Sequence, residues 1–172
     1  MKKDSIVNIL FCGRGGQGVL AAAEICGRAA VLSGFHVKKS EVHGMAQRGG
    51  SVESHVRFGK EVFSPLIPQG KADYLVCFYK EEGERLKNFL SPKGINLIEY
   101  LGKAQDSLED KRYVNTYLLG VLSRYLQIKE ENWLKALEQI FSSKNLAENK
   151  RIFLLNRDPV SNRAQSRPGL GY

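Results

Sequence analysis

The stretch that decides the fold is Ile6-Val-Asn-Ile-Leu-Phe-Cys12, followed by Gly13-Arg-Gly-Gly-Gln-Gly18 and Val19-Leu-Ala-Ala-Ala-Glu-Ile-Cys26. The first segment is short, apolar and rich in β-branched residues, which predicts a buried strand. The third segment is alanine-rich, with apolar residues at helical spacing, which predicts a helix. The glycines between them have the spacing G-x-G-x-x-G in the strand–turn–helix context that this motif requires. The stretch therefore predicts the first unit of an open α/β sheet.

The glycine turn also predicts an anion site. Gly13 permits the tight turn, Gly15 lets the oxygens of a ligand approach the backbone, and Gly18 lets the helix pack close to the strand. The first amides of the helix have no internal partners and lie at the positive end of its dipole, which favours an anion. The P-loop ending Gly-Lys-Ser/Thr is absent, so we do not expect an NTPase. The predicted binding residues of this turn are Gly13, Arg14, Gly15, Gly16, Gln17 and Gly18.

The composition is that of one ordinary globular domain of 172 residues, with 42% hydrophobic and 26% charged residues. The net charge of +8 favours nucleotides, coenzymes, acidic proteins or nucleic acid as partners, although it is equally compatible with a role in solubility alone. Cys12, Cys26 and Cys77 lie far apart in apolar runs, without a Cys-x-x-Cys pair. We therefore expect buried thiols and no zinc site or iron–sulfur cluster built from this chain alone. We predict a cytoplasmic protein without a signal peptide or membrane span.

Hydrophobic periodicity predicts the remaining elements. Strands are predicted over 35–42, 51–58, 72–79 and 94–100, an edge strand plus loop over 61–70, helices over 80–90, 115–127, 130–141 and 146–153, and loops over 43–50 and 101–111. The strand–helix–strand order over 72–100 implies a parallel crossover. We predict a three-layer, Rossmann-like α/β fold over residues 1–157, with an open sheet that is largely parallel and has an antiparallel edge portion. Residues 158–172 are predicted to form a flexible basic tail.

A second glycine-rich segment, Arg48-Gly49-Gly50-Ser51, follows the second predicted strand by a few residues. Loops at the carboxyl ends of neighbouring strands converge on one crevice, so this segment and the first glycine turn are expected to face the same anion. Arg48 would supply a forked donor, and the amides of Gly49 and Gly50 a backbone nest. An isolated Arg-Gly-Gly is also compatible with a simple flexible turn. Its pairing with the first motif favours contact with a ligand or partner, which adds Arg48, Gly49, Gly50 and Ser51 to the predicted binding residues.

Two titratable residues shortly before this segment, His43 and Glu41, are candidates for a catalytic or a ligand-binding role. His43 is the one candidate catalytic residue, because an imidazole can transfer protons near neutral pH, although its position favours the alternative of a histidine that holds the loop in place by hydrogen bonding. Glu41 lies about where a dinucleotide site would have an acid for the ribose hydroxyls, on a strand that is unusually polar for that fold. His36 and His55 have no ligand partners at suitable spacing, and His55 is predicted on a solvent face. No metal site is predicted.

Taken together, the two glycine motifs resemble those of a known protein family. Gly13-Arg-Gly-Gly-Gln-Gly-Val19, followed some thirty residues later by Arg48-Gly-Gly50, resembles the gamma subunit or domain of 2-oxoacid:ferredoxin oxidoreductases. The fuller stretch Val42-His-Gly-Met-Ala-Gln-Arg-Gly-Gly-Ser-Val52 is similar to the beta subunit of the indolepyruvate enzymes, whereas pyruvate-type relatives usually have Tyr-Gly in place of His43-Gly44. The similarity continues through Ala72-Asp73 and the helix that begins at Asn115, then fades.

The resemblance implies a holoenzyme that oxidatively decarboxylates an aryl 2-oxoacid such as indolepyruvate, transfers the acyl group to coenzyme A and passes two electrons to ferredoxin. Thiamine diphosphate, Mg and the iron–sulfur clusters would reside on a larger alpha subunit, and this chain would bind none of them alone. It would complete the active site and the site for the anionic coenzyme, be inactive alone, and self-associate when isolated.

Two other functions remain open from the sequence. The first is a stand-alone NAD(P)-binding protein that uses the Gly13–Gly18 turn and Glu41. The second, a basic nucleic-acid binder, is the weaker one, because no aromatic platform accompanies the arginines of the tail.

Overall fold

The computed structural model describes residues 6–44 and 49–158. Within them, five strands form one sheet in the order β2-β3-β1-β4-β5. The strands are β1 (Val7–Arg14), β2 (His36–His43), β3 (Ser51–Gly59), β4 (Ala72–Cys77) and β5 (Leu90–Asn96). β1, β4 and β5 are parallel, whereas β3 is antiparallel to both of its neighbours, β1 and β2. The predicted open sheet, largely parallel with an antiparallel portion toward one edge, is confirmed.

Helices cover both faces of this sheet. They are α1 (Val19–Leu32), α2 (Lys80–Leu86), α3 (Glu99–Ser107), α4 (Val114–Ser123), α5 (Glu130–Ile140) and α6 (Ser143–Arg157). Side chains of β1 alternate between the two faces. Ile9 and Phe11 pack into the large core beneath α1 and the later helices, whereas Leu10 and Cys12 pack into a smaller core with Leu86 of α2. The result is the predicted three-layer arrangement.

One predicted loop is wrong. Glu99–Ser107 forms α3, which replaces most of the predicted loop 101–111 and the last two residues of the predicted strand 94–100, because Leu97, Leu101 and Ala104 are buried at helical spacing. Only Leu101 and Ala104 of α3 are buried. These two apolar residues among polar ones were too few to predict a helix from hydrophobic periodicity.

The predicted edge strand within 61–70 is also absent, although this segment is well packed. Val62 and Ile67 are buried. Their backbone N–H groups donate to His36 Nδ1 (3.0 Å) and His55 Nδ1 (3.1 Å) instead of pairing with a strand. His55 therefore does not lie on a solvent face: its side chain is buried beneath this segment and packs edge-on against Phe89.

Other boundaries shift by a few residues. β5 begins at Leu90 and includes Pro92, which an edge strand tolerates because it needs fewer backbone donors. The predicted helix over 80–90 is shorter, ending as a 3₁₀ turn over Lys87–Phe89, and the predicted helix over 146–153 extends to Ser143–Arg157. The predicted tail lies, apart from Asp158, outside the described residues.

Candidate functional site

The first glycine turn is held by close packing. A Cβ at Gly13 would lie 2.9 Å from Phe78 Cβ, and one at Gly18 would lie 2.5 Å from Asn115 Nδ2. Gly18 is also the N-cap of α1, with a φ of +79° that side-chain-bearing residues rarely adopt. The side chain of Gln17 closes the turn by accepting a hydrogen bond from the Arg14 N–H (2.7 Å). The glycines at positions 13 and 18 are thus required by the packing around the turn.

The second glycine turn lies directly against the first. β3 is paired with β1 so that Ser51 lies opposite Arg14, where β1 ends. The Gly15 N–H donates to the Gly50 carbonyl (2.9 Å), and the Gly44 N–H donates to the Ser51 carbonyl (2.9 Å). Gly49 has a φ of +69°. The antiparallel register of β3 therefore brings the two glycine motifs together, as the sequence predicts.

A cleft of about 430 Å³ lies between the two turns and the start of α1. We call it the glycine cleft; it is lined by Arg14, Gly15, Gly16, Gly18, Val19, Leu20, Ala21, Gly44, Gly50, Ser51 and Val52. The first-turn amides of α1 have no intrahelical acceptors. The first turn contains no acidic residue and the N-cap is not occupied by a side chain, so the positive end of the helix dipole is available to an anion.

The predicted binding residues divide into those that line the cleft and those that support it. Arg14, Gly15, Gly16, Gly18, Gly50 and Ser51 line it. Gly13 and Gln17 shape the first turn, and Gly49 lies against Gly15 without lining the cleft. Arg48 and the side chain of His43 lie outside the described residues, so their binding and catalytic roles stay predictions.

Arg14 is positioned by an aromatic residue. Its guanidinium carbon lies 3.9 Å from the centre of the Tyr79 ring, a cation–π contact that holds the charge beside the cleft. Tyr79 follows β4, which is the parallel neighbour of β1. Because the carboxyl ends of parallel strands share one edge of a sheet, the position of Tyr79 was available from the sequence, but its role was missed.

Ser51 is positioned by a polar cluster on the α2 face of the sheet. Its Oγ donates to Glu82 Oε2 (2.7 Å) and accepts from Arg85 Nη2 (2.8 Å). Arg85 Nη2 also contacts Glu53 Oε1 (2.7 Å). The side chains of both glutamates are 13% exposed. His55 and Arg85 hold the pKa of Glu53 below its ordinary value. No pattern in the sequence connects these residues, because α2 and β3 are joined only by the fold.

Glu41 does not reach the glycine cleft. It is paired with Ser54, which in turn lies opposite Phe11, three residues before the end of β1. β3 separates its strand from β1, and Lys39 Nζ lies 2.9 Å from Glu41 Oε1. A dinucleotide site needs its acid near the turn, so this placement argues against the NAD(P)-binding alternative.

The cysteines occupy apolar surroundings. Cys12, Cys26 and Cys77 are all buried and free. Cys12 Sγ lies 3.5 Å from Cys77 Sγ, a contact that together with burial raises the pKa of Cys12, and burial alone raises the pKa of Cys26.

Residues 6–44 and 49–158 contain no group of three His, Cys, Asp or Glu side chains placed to hold a metal ion. In the same part of the chain, no helix has the length and apolar character needed to cross a bilayer.

The sequence model for the family described as pyruvate ferredoxin/flavodoxin oxidoreductase matches residues 8–157, and the chain belongs to this family. It is 47% identical over 88 residues to indolepyruvate oxidoreductase subunit IorB of Thermococcus kodakarensis, over 51% of this chain and 44% of the relative. It is 29% identical over 158 residues to pyruvate synthase subunit PorC of Methanothermobacter marburgensis, over 81% of this chain and 89% of the relative. The match thus spans less than half the length of that IorB protein. The resemblance drawn from the two glycine motifs is confirmed.

Solved structures show the same fold. The gamma subunit of keto/oxoacid ferredoxin oxidoreductase from Geobacter sulfurreducens aligns with a TM-score of 0.72 at 20% identity, covering 88% of this chain and 96% of that one. The 2-oxoglutarate:ferredoxin oxidoreductase from Magnetococcus marinus, with 2-oxoglutarate, coenzyme A and succinyl-CoA bound, aligns with a TM-score of 0.71 at 21% identity. That alignment covers 96% of this chain and 32% of the larger one.

Proposed function

We propose that this chain is the small subunit of a thiamine diphosphate-dependent 2-oxoacid:ferredoxin oxidoreductase that acts on aryl 2-oxoacids such as indolepyruvate. In the complete enzyme, the 2-oxoacid and coenzyme A are converted to an acyl-coenzyme A and carbon dioxide, while two electrons pass to ferredoxin. The similarity to IorB proteins over about half of the chain favours indolepyruvate.

The observation that carries the proposal is the hydrogen bond from the Gly15 N–H to the Gly50 carbonyl. It unites the two motifs that mark the family into one cleft, with an arginine and the first amides of α1 on its walls. Backbone amides at a helix N-terminus suit phosphate groups, which fits the anionic part of coenzyme A. The chain would bind and orient this part of the coenzyme while its partner performs the chemistry.

The redox and decarboxylation groups are assigned to a larger iron–sulfur subunit. The donors of this chain do not suit a cluster, because its three cysteines are buried, lie far apart in the sequence and form no Cys-x-x-Cys pair, and because the contact with Cys77 and burial raise the pKa of Cys12 and burial raises the pKa of Cys26. Thiamine diphosphate supplies carbanion stabilisation when bound. Because the coenzyme would enter a cleft at the rim of this chain, we propose that the partner covers the rim, so that each subunit is inactive alone. The free cysteines favour the cytoplasm as the compartment.

Purification of the tagged chain from its native host tests the proposal. We expect an iron–sulfur subunit to copurify, and the complex to reduce ferredoxin only when indolepyruvate and coenzyme A are both present. The chain alone should be inactive. Full activity from the single polypeptide, or a complex indifferent to coenzyme A, would contradict the proposal.

A matched pair of variants tests the cleft itself. Arg14→Ala removes a cation from the wall of the cleft, and Arg28→Ala removes one from α1, where Arg28 pairs with Glu24. We expect Arg14→Ala to raise the KM for coenzyme A by about tenfold and Arg28→Ala to leave it unchanged, although both lower the net charge equally. Arg48→Ala should lower turnover of the complex without unfolding the chain. Equal effects of Arg14→Ala and Arg28→Ala would point to long-range charge instead of a local contact.

A further inference from the structure

A second cavity of about 400 Å³ lies on the opposite side of the first glycine turn. It is lined by Gly16, Gln17, Phe78, Gln105, Lys111, Arg112 and Val114, and we call it the switch-point cavity. Gly16 lines both this cavity and the glycine cleft. A ligand that crosses Gly16 can therefore occupy both.

The topology of the sheet places this cavity where open α/β sheets bind ligands. From β1 the chain proceeds through α1 to the β2–β3 side of the sheet, whereas from β4 it proceeds through α2 to β5 on the other side. α1 and α2 cover opposite faces. The crevice between the carboxyl ends of β1 and β4 is thus the topological switch point, where ligands of such sheets bind. Phe78 follows β4 at this point, and its N–H donates to the Cys12 carbonyl (2.8 Å).

The chemistry of the cavity suits a phosphoryl group. Lys111 Nζ donates to the carbonyls of Gln105 and Leu108, which leaves one of its three hydrogens for a ligand. Arg112 uses Nε and Nη2 to contact Asp110, and its Nη1 has no acceptor among the described residues. The cavity therefore holds two cations with donors left over, and Asp110, the carboxylate in contact with Arg112, is already paired.

Asn115 connects the start of α4 to the glycine turn that separates the two cavities. It follows the lining residue Val114 and is only 5% exposed. Its Oδ1 accepts from the Thr116 N–H (2.8 Å), and its Nδ2 lies against Gly18. The contact keeps the start of α4, and with it the wall of the cavity at Val114, close to the turn.

We propose that the switch-point cavity is a second anion subsite, which takes a phosphoryl group of the coenzyme whose other anionic groups occupy the glycine cleft. The proposal rests on the proposed function for the identity of the coenzyme, but not for the existence of the subsite. Lys111 and Arg112 bind the second group, and Gly16 is the point at which the ligand crosses from one cavity to the other.

Binding to the full chain, alone and with its copurified partner, tests the subsite through three variants. Arg112→Gln removes a cation from the cavity, and Asp110→Asn removes the competing carboxylate while keeping the oxygen that accepts the Arg112 N–H. Arg151→Gln is the matched control, because Arg151 forms the same kind of exposed pair with Glu148 on α6. We expect Arg112→Gln to weaken coenzyme A about threefold to tenfold by calorimetry, Asp110→Asn to tighten it, and Arg151→Gln to change nothing.

Amide chemical shifts separate this inference from the proposed function. Coenzyme A should perturb Gly15 and Gly50 together with Lys111 and Val114, and pyrophosphate should perturb the second pair in Arg151→Gln but not in Arg112→Gln. Perturbation of Gly15 and Gly50 alone would overturn the second subsite and leave the proposed function intact. Perturbation of Lys111 and Val114 by pyrophosphate in a chain that fails to bind coenzyme A would retain the subsite and overturn the assigned coenzyme. Equal weakening by Arg112→Gln and Arg151→Gln would overturn the subsite.

Discussion

The two glycine turns of the cleft lie against each other but are held in different ways. The first turn is fixed by packing, because Phe78 and Asn115 fill the space in which side chains at Gly13 and Gly18 would lie. In the second turn, none of the described residues other than its chain neighbours lies within 4 Å of a Cβ added at Gly49. This turn is fixed at Ser51 by hydrogen bonds to Glu82 and Arg85. One turn therefore depends on close contact between atoms, and the other on charge.

This difference teaches which wall of the cleft can respond to its surroundings. Close packing is insensitive to salt and pH. Contacts between partly exposed charges are weakened by added salt, which screens them, and by a change in pH that neutralises one of the partners. We therefore expect the first turn to be the more rigid wall of the cleft, and the second turn to respond to changes in salt and pH.

Gly18→Ala gives the largest expected effect. The new methyl group would collide with the Asn115 amide, and the residue would be forced to keep a φ of +79°. We expect a loss of about 3 kcal/mol in the free energy of unfolding, measured by urea denaturation. The double variant Gly18→Ala/Asn115→Ala should recover the part caused by the collision.

Gly49→Ala is the matched control in the second turn. Gly49 also has a positive φ, but apart from its chain neighbours no atom of residues 6–44 and 49–158 lies within 4 Å of its added Cβ, so the backbone strain is the expected cost. We expect a loss of about 1 kcal/mol. If the two variants cost the same, packing does not distinguish the turns and the comparison fails.

Much of this architecture could be predicted from the sequence because the relevant signals are local. The strand–turn–helix signal of residues 6–26 identified β1, the glycine turn and α1, with only small shifts of their ends. The convergence of Gly15 and Gly50 was also predictable, since it follows from the general rule that loops meet at one edge of such a sheet.

The remaining features depend on contacts between distant parts of the chain. His55 alternates with apolar residues along β3 like a solvent-facing residue, but the segment containing Ile67 covers it. Ser51 gives no sign that Glu82 and Arg85, more than thirty residues later, will hold it. Such contacts are set by tertiary packing, which overrides local periodicity.

Arg85→Gln should have a smaller effect on stability than Gly18→Ala and a selective effect on the second turn. The variant leaves Glu53 and Glu82 near each other without their shared cation. Because the Arg85 side chain is 47% exposed, we expect a loss of only about 1 to 2 kcal/mol. Hydrogen exchange at Gly50 and Ser51 should accelerate, while exchange in α1 stays unchanged. Arg85→Lys should restore the stability but only part of the protection, since an ammonium group lacks the planar fork. Uniform acceleration across both turns would contradict the separate anchoring.

Acidification gives the smallest expected effect. It tests the second glycine turn, which depends on charged contacts, in the chain without any substitution. His55 and Arg85 hold the pKa of Glu53 below its ordinary value, so the ionised carboxylate stabilises the fold above the unfolded-state pKa. That contribution is lost as the pH falls through the folded-state pKa.

Lys39 and Arg28 likewise lower the pKa of Glu24 on α1, which makes Glu24→Gln the matched control for Glu53→Gln. Both variants should flatten the decline of stability below about pH 4.5, but only Glu53→Gln should abolish the acid-dependent shift of the Ser51 amide in NMR spectra. A Ser51 shift that survives in Glu53→Gln would contradict the anchoring of the second turn through this carboxylate.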